Sequence, residues 1–146
     1  MEQSSSPAAG PSAPAQPYEF PLELRWSDQD LLGHVNNAKI VTLAEEARVR
    51  FLEKVSSSEA NARRVVARQT IDYHAEVLYG PELLMRVGVQ RVGTSSYTLR
   101  QQGHQKGRAV FTVDTVMVML TENGSRPLTE EEKGILRDWA WPEESD

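Results

Sequence analysis

The sequence contains no cysteine among its 146 residues. Disulfide bonds, thiolate nucleophiles and cysteine-ligated metals are therefore excluded, and any chemistry must use oxygen and nitrogen groups. Runs of lysine or arginine are also missing and the net charge is −5, so nucleic acid and anionic membranes are poor partners. The most apolar stretch, residues 110–120, is interrupted by polar side chains and is much shorter than the roughly 20 residues that span a bilayer. We expect no membrane anchor.

The first 17 residues are rich in Pro, Ala, Ser and Gly, and they lack the basic start and apolar core of a secretory signal. Such a segment buries too little apolar surface to offset the entropy lost on ordering. We therefore expect a disordered tail over 1–17, one domain over 18–141, a short tail over 142–146 and a cytoplasmic location. A chain of this length has room for one core and no second catalytic domain.

The first half of the domain changes from a strand pattern to a helix pattern. Alternating apolar residues predict a strand from Tyr18 to Trp26, in which Pro21 indicates either an edge position or a ladder broken at that residue. Residues 38–54 then follow helical periodicity, and residues 56–59 form the loop that ends this helix. The apolar stripe of the predicted helix consists of Ile40, Leu43, Ala44, Ala47 and Phe51.

The second half of the domain alternates again and predicts four more strands separated by short turns. The turns are placed at residues 79–81, 92–94 and 103–107, and such short connections favour antiparallel neighbours. Thr129 and Glu132 then form a capping box, which predicts a short C-terminal helix. The order of one strand, one long helix and four strands indicates an α+β domain whose sheet wraps one helix.

Residues 25–37, with the sequence RWSDQDLLGHVNN, form a segment that we call the polar corner. It lies between the first strand and the helix, and either Asn36 or Asn37 can cap that helix. Backbone N–H groups at a helix start have no intrahelical partner and carry partial positive charge. An acid, an imidazole and amides held beside them can act on a polarised carbonyl, so the polar corner is the candidate site.

The string RWSDQDLLGHVNNAK, followed by residues 45–48 (EEAR), resembles the hot-dog-fold thioesterases of the 4-hydroxybenzoyl-CoA thioesterase type. The resemblance continues through Tyr73, the 79–80 turn and residues 91–96 (RVGTSS) to about residue 127. It implies a hot-dog fold, in which a curved antiparallel sheet of about five strands wraps around one long helix. It also implies a homodimer or homotetramer with acyl pockets at the subunit interface.

The resemblance implies hydrolysis of an acyl-CoA thioester, with Asp30 as the catalytic carboxylate. Asp30 can act as general base or as nucleophile, and the alternative interpretation is that it only caps a turn. The backbone N–H of Asn37 corresponds to the oxyanion donor of similar enzymes. Gly33 would let the chain approach the acyl group closely, although any tight turn would also use a glycine.

His34 can polarise the thioester carbonyl or orient water. Acyl carrier protein thioesterases of the plant type resemble this stretch and carry an essential histidine at that position. They also carry a catalytic asparagine where Leu32 stands here, so their full mechanism does not transfer, and a structural role for His34 stays open. Asp28 is interpreted as a solvated or turn-stabilising residue.

Weaker candidates lie outside the polar corner. Glu46 could be the helix carboxylate that some hot-dog branches use as base, or part of a solvated helix face. His74 and His104 have no partner at metal-ligand spacing, so we expect no metal, and no cofactor other than the CoA of the substrate. Four residues could line a CoA channel, although turn chemistry also explains them: Arg91, Thr94, Ser95 and Ser96.

Other functions remain open from the sequence. The match at residues 34–37 favours hydrolysis of acyl carrier protein thioesters as one alternative. A non-catalytic acyl-CoA binding protein is another, because the fold can bind without cleaving. A dehydratase is conceivable by fold analogy alone. The identity and length of the acyl group are not predicted.

Overall fold

A computed structural model describes residues 16–55 and 63–142 of the chain. Most of the predicted N-terminal tail, the predicted loop at 56–59 and residues 143–146 lie outside the described residues. The elements follow in the order β1 (Tyr18–Leu22), a 3-10 turn (Trp26–Asp28), α1 (Asn37–Val55), β2 (Arg63–Tyr73), β3 (Leu83–Val92), β4 (Ser96–Gln105), β5 (Arg108–Thr121), β6 (Gly124–Ser125) and α2 (Glu130–Asp138).

The strands form one antiparallel sheet in the order β1-β3-β4-β5-β2, with the two-residue β6 attached to β5. Consecutive strands β3, β4 and β5 are joined by short turns, whereas β2 reaches its place beside β5 after α1. The predicted α+β class, with an antiparallel sheet of about five strands and one long helix, is confirmed. β1 and β2 are the two outer strands of this order.

The core lies between α1 and the inner face of the sheet. The whole predicted helix stripe is buried, and Ala44 and Ala47 have no exposed surface, so the helix backbone can approach the strands closely. The sheet contributes alternate residues of β3, β4 and β5, as expected for strands with one face on a core. Buried apolar residues of this face include Leu83, Met85, Val87, Leu99, Phe111, Val113 and Met117.

β1 is shorter than the sequence pattern predicts. It ends at Leu22, and Trp26 begins a 3-10 turn with its side chain 73% exposed. The cause is local, because the Asp28 carboxylate accepts the backbone N–H of Arg25 at 2.9 Å and its Nη2 at 3.1 Å. These bonds turn the chain before alternation could place Trp26 on the core. Pro21 lies on an edge strand, one of the two predicted possibilities, since among the described strands β1 pairs with β3 alone.

The β4–β5 turn is tighter than predicted. It consists of Lys106 and Gly107, both with positive φ (55° and 80°), as in the two-residue turns that suit the twist of a hairpin. Gly103, predicted in this turn, lies inside β4 and is buried. A Cβ at Gly103 would come within 2.6 Å of the Phe111 ring, so the glycine makes room for an aromatic core residue.

The predicted C-terminal helix is present as α2. Thr129 Oγ1 accepts the Glu132 N–H at 3.1 Å and the Glu132 carboxylate accepts the Thr129 N–H at 2.8 Å, which is the capping box. After α2, Val89 of β3 donates to the carbonyl of Trp139 and accepts from the N–H of Trp141. Within the described residues, no helix combines the length and apolar character needed to cross a membrane.

Candidate active site at the start of the central helix

Asp30 is held in the polar corner through both carboxylate oxygens. Oδ1 accepts the Leu32 N–H at 2.9 Å and Oδ2 accepts Nδ2 of Asn36 at 3.1 Å. The Leu32 N–H lowers the pKa of Asp30 below its ordinary value, desolvation opposes this, and the Asn36 amide lowers it further. The carboxylate is thus ionised at neutral pH. Each oxygen keeps a further lone pair, so turn capping does not prevent a chemical role.

Asn36 is the residue that caps α1. Its Oδ1 accepts the Ala38 N–H at 2.8 Å, and its backbone carbonyl accepts the Lys39 N–H at 2.9 Å. Asn37 is then the first helical residue, and its backbone N–H belongs to the helix-start donors that have no partner within the helix. One side chain, Asn36, therefore fixes both the helix start and the carboxylate of Asp30.

A pocket of about 190 Å³ lies beside this helix start. Two contacts join the helix-start side of the pocket to residues 73–77. Val35 donates its N–H to the Val77 carbonyl at 2.8 Å, and the Tyr73 hydroxyl lies 3.4 Å from the Asn37 carbonyl. Asp30 does not line the pocket within a single chain, and it is bonded to Asn36, which stands between the lining residues Val35 and Asn37. The lining residues are His34, Val35, Asn37, Ile40, Tyr73, His74, Ala75, Glu76 and Val77.

His34 lines the pocket, and its Nε2 lies 3.8 Å from Oε1 of Glu76. Its backbone carbonyl accepts the Asp30 N–H at 3.1 Å, which closes the turn. Gly33 has a φ of +88°, in the region where a side chain is strained, so this turn needs a glycine. The structure thereby brings Asp30, Gly33, His34 and Asn37 into one corner.

Asp28 is a structural residue, but it is not solvated. It is 3% exposed and accepts both bonds from Arg25. Burial raises the pKa of its carboxyl, and the hydrogen bonds and charge of Arg25 outweigh that effect, so the net pKa is lowered. The backbone carbonyl of Asp28 also accepts the Asn36 N–H at 3.0 Å. Asp28 therefore helps to hold Asn36, which in turn binds Asp30.

Glu46 is not part of this corner. It follows Asn37 by nine positions, about two and a half helical turns, and so projects from the opposite side of α1. Its carboxylate accepts Nε of Arg50 at 2.8 Å in an exposed i, i+4 pair. The solvated-face interpretation fits this position.

The four predicted CoA-channel residues lie at the other end of the sheet. Arg91 is near the end of β3, and the other three form the turn into β4 or its first residue. The carbonyls of Thr94 and Ser95 accept the N–H groups of Leu128 and Met119. Because β4 has 10 residues, about 3.3 Å each, this turn lies about 30 Å from the polar corner along the strand. One subunit does not bring the two groups together.

Residues 73–77 form a wall of the site, and no sequence pattern predicted that they lie there. Glu76 received no role, and Tyr73 none beyond the resemblance. The Tyr73 hydroxyl meets a carbonyl 36 positions away in the chain, so no local pattern could reveal the contact. In the described part of the chain, no group of three His, Cys, Asp or Glu residues could hold a metal ion.

The model of the thioesterase-like superfamily matches residues 24–138, a range that includes the whole polar corner. The chain belongs to the thioesterase-like superfamily. Membership supports thioester hydrolysis as the general class of reaction, and it agrees with the hot-dog arrangement of the sheet around α1.

Individual relatives of this thioesterase-like chain extend the comparison. YsmA of Bacillus subtilis, itself uncharacterised, is 33% identical over 120 residues, which cover 79% of this chain and 82% of YsmA. A Thermus thermophilus thioesterase, whose crystal structure contains coenzyme A and Zn, is 30% identical with a TM-score of 0.77 over 86% of this chain and 95% of that one. A predicted thioesterase from Bacillus stearothermophilus, 24% identical, shares the fold with a TM-score of 0.78 over 87% and 98%.

Proposed function

We propose that this protein hydrolyses an acyl-CoA thioester to the free acid and CoA, in the manner of the 4-hydroxybenzoyl-CoA thioesterase type. The observation that carries the proposal is the link made by Asn36, which ties an ionised Asp30 to the start of α1 beside a pocket. The Thermus relative, whose structure contains coenzyme A, supports CoA as the carrier of the acyl group. A CoA-dependent role also fits the cytoplasmic location expected from the sequence.

Two routes use the same residues. As a general base, Asp30 takes a proton from water, and the water oxygen attacks the thioester carbonyl. As a nucleophile, Asp30 attacks the carbonyl itself to form an anhydride, which water then cleaves. In both routes the oxyanion faces the Asn37 N–H at the positive end of α1, and the C–S bond breaks to release the CoA thiolate, which is protonated. His34 stands where it can polarise the carbonyl or orient water.

The active unit in this proposal is a dimer formed through β2. This outer strand is 11 residues long, and it carries the exposed apolar side chains of Val65, Val66 and Tyr73, which is unusual for a free edge. Antiparallel pairing of two β2 strands about a two-fold axis would set the Arg63 end of one beside the Tyr73 end of the other. Each polar corner would then adjoin the opposite sheet end of the partner.

The test is steady-state hydrolysis of an acyl-CoA panel by the wild type, Asp30→Asn and Asp138→Asn. The Asp30 variant keeps an acceptor for the Leu32 N–H but loses the carboxylate, so we expect kcat to fall about a hundredfold or more. Asp138, at the end of α2, provides the control in which a remote carboxylate is removed. Equal turnover by Asp30→Asn and the wild type would eliminate the assigned role of Asp30.

The same panel separates the alternatives. Faster turnover of one acyl group on acyl carrier protein than on CoA would favour the carrier-protein thioesterase. Stoichiometric binding of acyl-CoA, with intact ligand recovered by mass spectrometry, would favour a binding protein without catalysis.

A further inference from the structure

The helix α1 leaves the part of the inner sheet face that β2 forms incompletely covered. Within the described residues α1 packs chiefly against β1, β3, β4 and β5, while β2 packs on β5. The β2 residues opposite the buried inner face of β5 share its orientation, yet none of them is fully buried, and Val66 is 42% exposed. We call the space between α1 and this side of β2 the β2 cleft. Its β2 residues are Arg64, Val66, Gln69 and Ile71.

One flank of α1 faces the β2 cleft. Asn37, Val41 and Arg48 lie within about 40° of one another around the helix, and Asn37 and Arg48 are about 16 Å apart along it. The contact of the Tyr73 hydroxyl with the Asn37 carbonyl fixes one end of this flank against β2. Helical side chains point back toward the helix start. The oxyanion donor and the Arg48 guanidinium therefore stand at the two ends of one cleft.

Arg48 is buried without an adequate counter-ion. It is 6% exposed, and its Nη1 has no hydrogen-bond acceptor in the part of the chain that the structure describes. Its Nη2 lies 3.6 Å from a carboxylate oxygen of Glu45, a side chain that is 62% exposed, so this pair is weak. Burying an unpaired charge is strongly unfavourable. An anion supplied from outside the subunit would remove that cost.

The neighbours of Arg48 add donors rather than acceptors. Arg64 donates from Nη1 to the Tyr97 hydroxyl at 3.4 Å, which leaves the hydroxyl proton available for another acceptor. Glu132, a carboxylate whose charge acts on Tyr97, is held by Arg126 at 2.9 Å. The charges of Arg64 and Arg48 both act on the Tyr97 phenol, so two guanidinium groups and a hydroxyl lie near one another at the Arg48 end of the β2 cleft.

We propose that the β2 cleft is the acyl channel and that Arg48, with Arg64 and Tyr97, binds a carboxylate at the far end of the acyl chain. The substrates would then be CoA thioesters of medium-length dicarboxylic acids. This inference rests on the proposed function, which places the thioester carbonyl at Asn37. Val41, Ile71 and Val66 offer apolar surface to the methylene groups between the two ends, and the exposed Glu45 swings aside to admit the carboxylate.

The test compares chain-matched pairs, namely hexanoyl-CoA with hexanedioyl-CoA and octanoyl-CoA with octanedioyl-CoA. The wild type is expected to show a kcat/KM at least about tenfold higher for the dicarboxylic member, the size of one buried charge-assisted contact. Arg48→Met keeps the apolar stem of the side chain and should lower the ratio of kcat/KM, dicarboxylic over monocarboxylic, to one or below. Arg50→Met is the matched control, since Arg50 projects from the opposite flank, is 48% exposed and pairs with Glu46; it should leave the ratio unchanged.

Each other outcome contradicts the inference in a recognisable way. A wild type that hydrolyses both members equally, or prefers the monocarboxylic one, overturns it while leaving thioester hydrolysis intact, whereas no hydrolysis of any thioester defeats the proposed function itself. An equal loss for both members in Arg48→Met would mean that Arg48 binds CoA. If the dimer of Arg48→Met dissociates while the ratio of kcat/KM is unchanged, Arg48 pairs with the partner subunit. Should Arg48→Met fail to fold, Arg64→Met on the edge strand must lower the ratio.

Discussion

Asn36 shows how much one side chain contributes at the site. Its Oδ1 caps α1 while its Nδ2 binds Asp30, so the helix start and the carboxylate cannot shift independently. The sequence identified Asn36 only as one of two possible caps, because either asparagine has the right chemistry. The bond to Asp30 depends on the turn made by Gly33, whose positive φ is a property of the folded chain.

The two roles of Asn36 can be separated by Asn36→Ser. Serine can still cap the helix, but it has no amide to donate to Asp30. Losing a donor to the charged form raises the pKa of Asp30, so the acid limb of the kcat/KM profile should move to higher pH while the plateau above it is largely kept. Profiles of the wild type and the variant across the acid range test this. An unshifted limb would show that Asp30 ionisation does not govern the profile.

At the residue scale, the sequence could not predict contacts between residues far apart in the chain, nor the burial of a charged side chain. Asp30, Gly33, His34 and Asn37 could be grouped because they are adjacent in the chain. Glu76 could not, since its approach to His34 depends on where β2 ends. The burial of Arg48 was equally hidden, because a charged residue beside an apolar stripe is ordinarily solvated.

At the scale of elements, the sequence pattern predicted the helices and their buried faces correctly, but it misplaced the end of a strand and a turn that depend on individual side-chain contacts. The α1 stripe and the Thr129 capping box were both correct, because each pattern reflects a regular repeat or a short fixed motif. The extent of β1 was wrong because the Arg25–Asp28 bonds stop the strand. The β4–β5 turn was misplaced because Gly103 serves the Phe111 ring instead of a turn, and glycine alone does not distinguish the two uses.

The start of α2 provides a pH-dependent test of stability. Arg126 donates two hydrogen bonds to Glu132 and is the main cause of lowering its pKa from 4.5 to about 2. A lowered pKa stabilises the fold above pH 4.5, and this contribution is lost as the pH falls from 4.5 toward 2. At pH 7 it amounts to at most about 3 kcal/mol.

Glu132→Gln keeps the capping-box geometry but removes the charge. The variant should therefore be less stable than the wild type at pH 7, and the difference should shrink as the pH approaches 2. Urea unfolding at pH 7 and pH 3 measures it. Glu130→Gln, which removes an 87% exposed carboxylate two residues earlier in the same helical turn, should show no such convergence. Parallel loss of stability in the wild type and Glu132→Gln would argue against the ion pair.

At the scale of the whole molecule, the residues that the sequence predicted for the site lie in two groups at opposite ends of the sheet. The polar corner lies at one end, while the Arg91 and 94–96 region lies at the other, so any cooperation between them requires a second subunit. The fold class could be predicted from one chain because it depends on that chain's own core. The proposed dimeric site could not, because its contacts between subunits depend on a second chain.

Val66→Lys tests the dimer directly. The new charge would be added to the inner side of β2, which also carries Arg64, where a paired subunit would have to bury it. We expect the mass in light scattering to fall to the 16.4 kDa of one chain, with loss of activity. Thr70→Lys places the same charge on the other side of the same strand and should remain dimeric and active. A wild type that is monomeric and active would refute this assembly.

The segment after α2 limits strand addition at the β1 edge of the sheet. Trp139 and Trp141 occupy the hydrogen-bonding groups of Val89 beyond the start of β1, and a Cβ on Gly88 would come within 3.1 Å of the Trp141 ring. β1 itself is five residues long and includes Pro21. Strand addition is therefore discouraged on that side and open on the β2 side. A sheet that can be extended at one edge only ends in a closed pair of chains, whereas one open at both edges can polymerise into fibres.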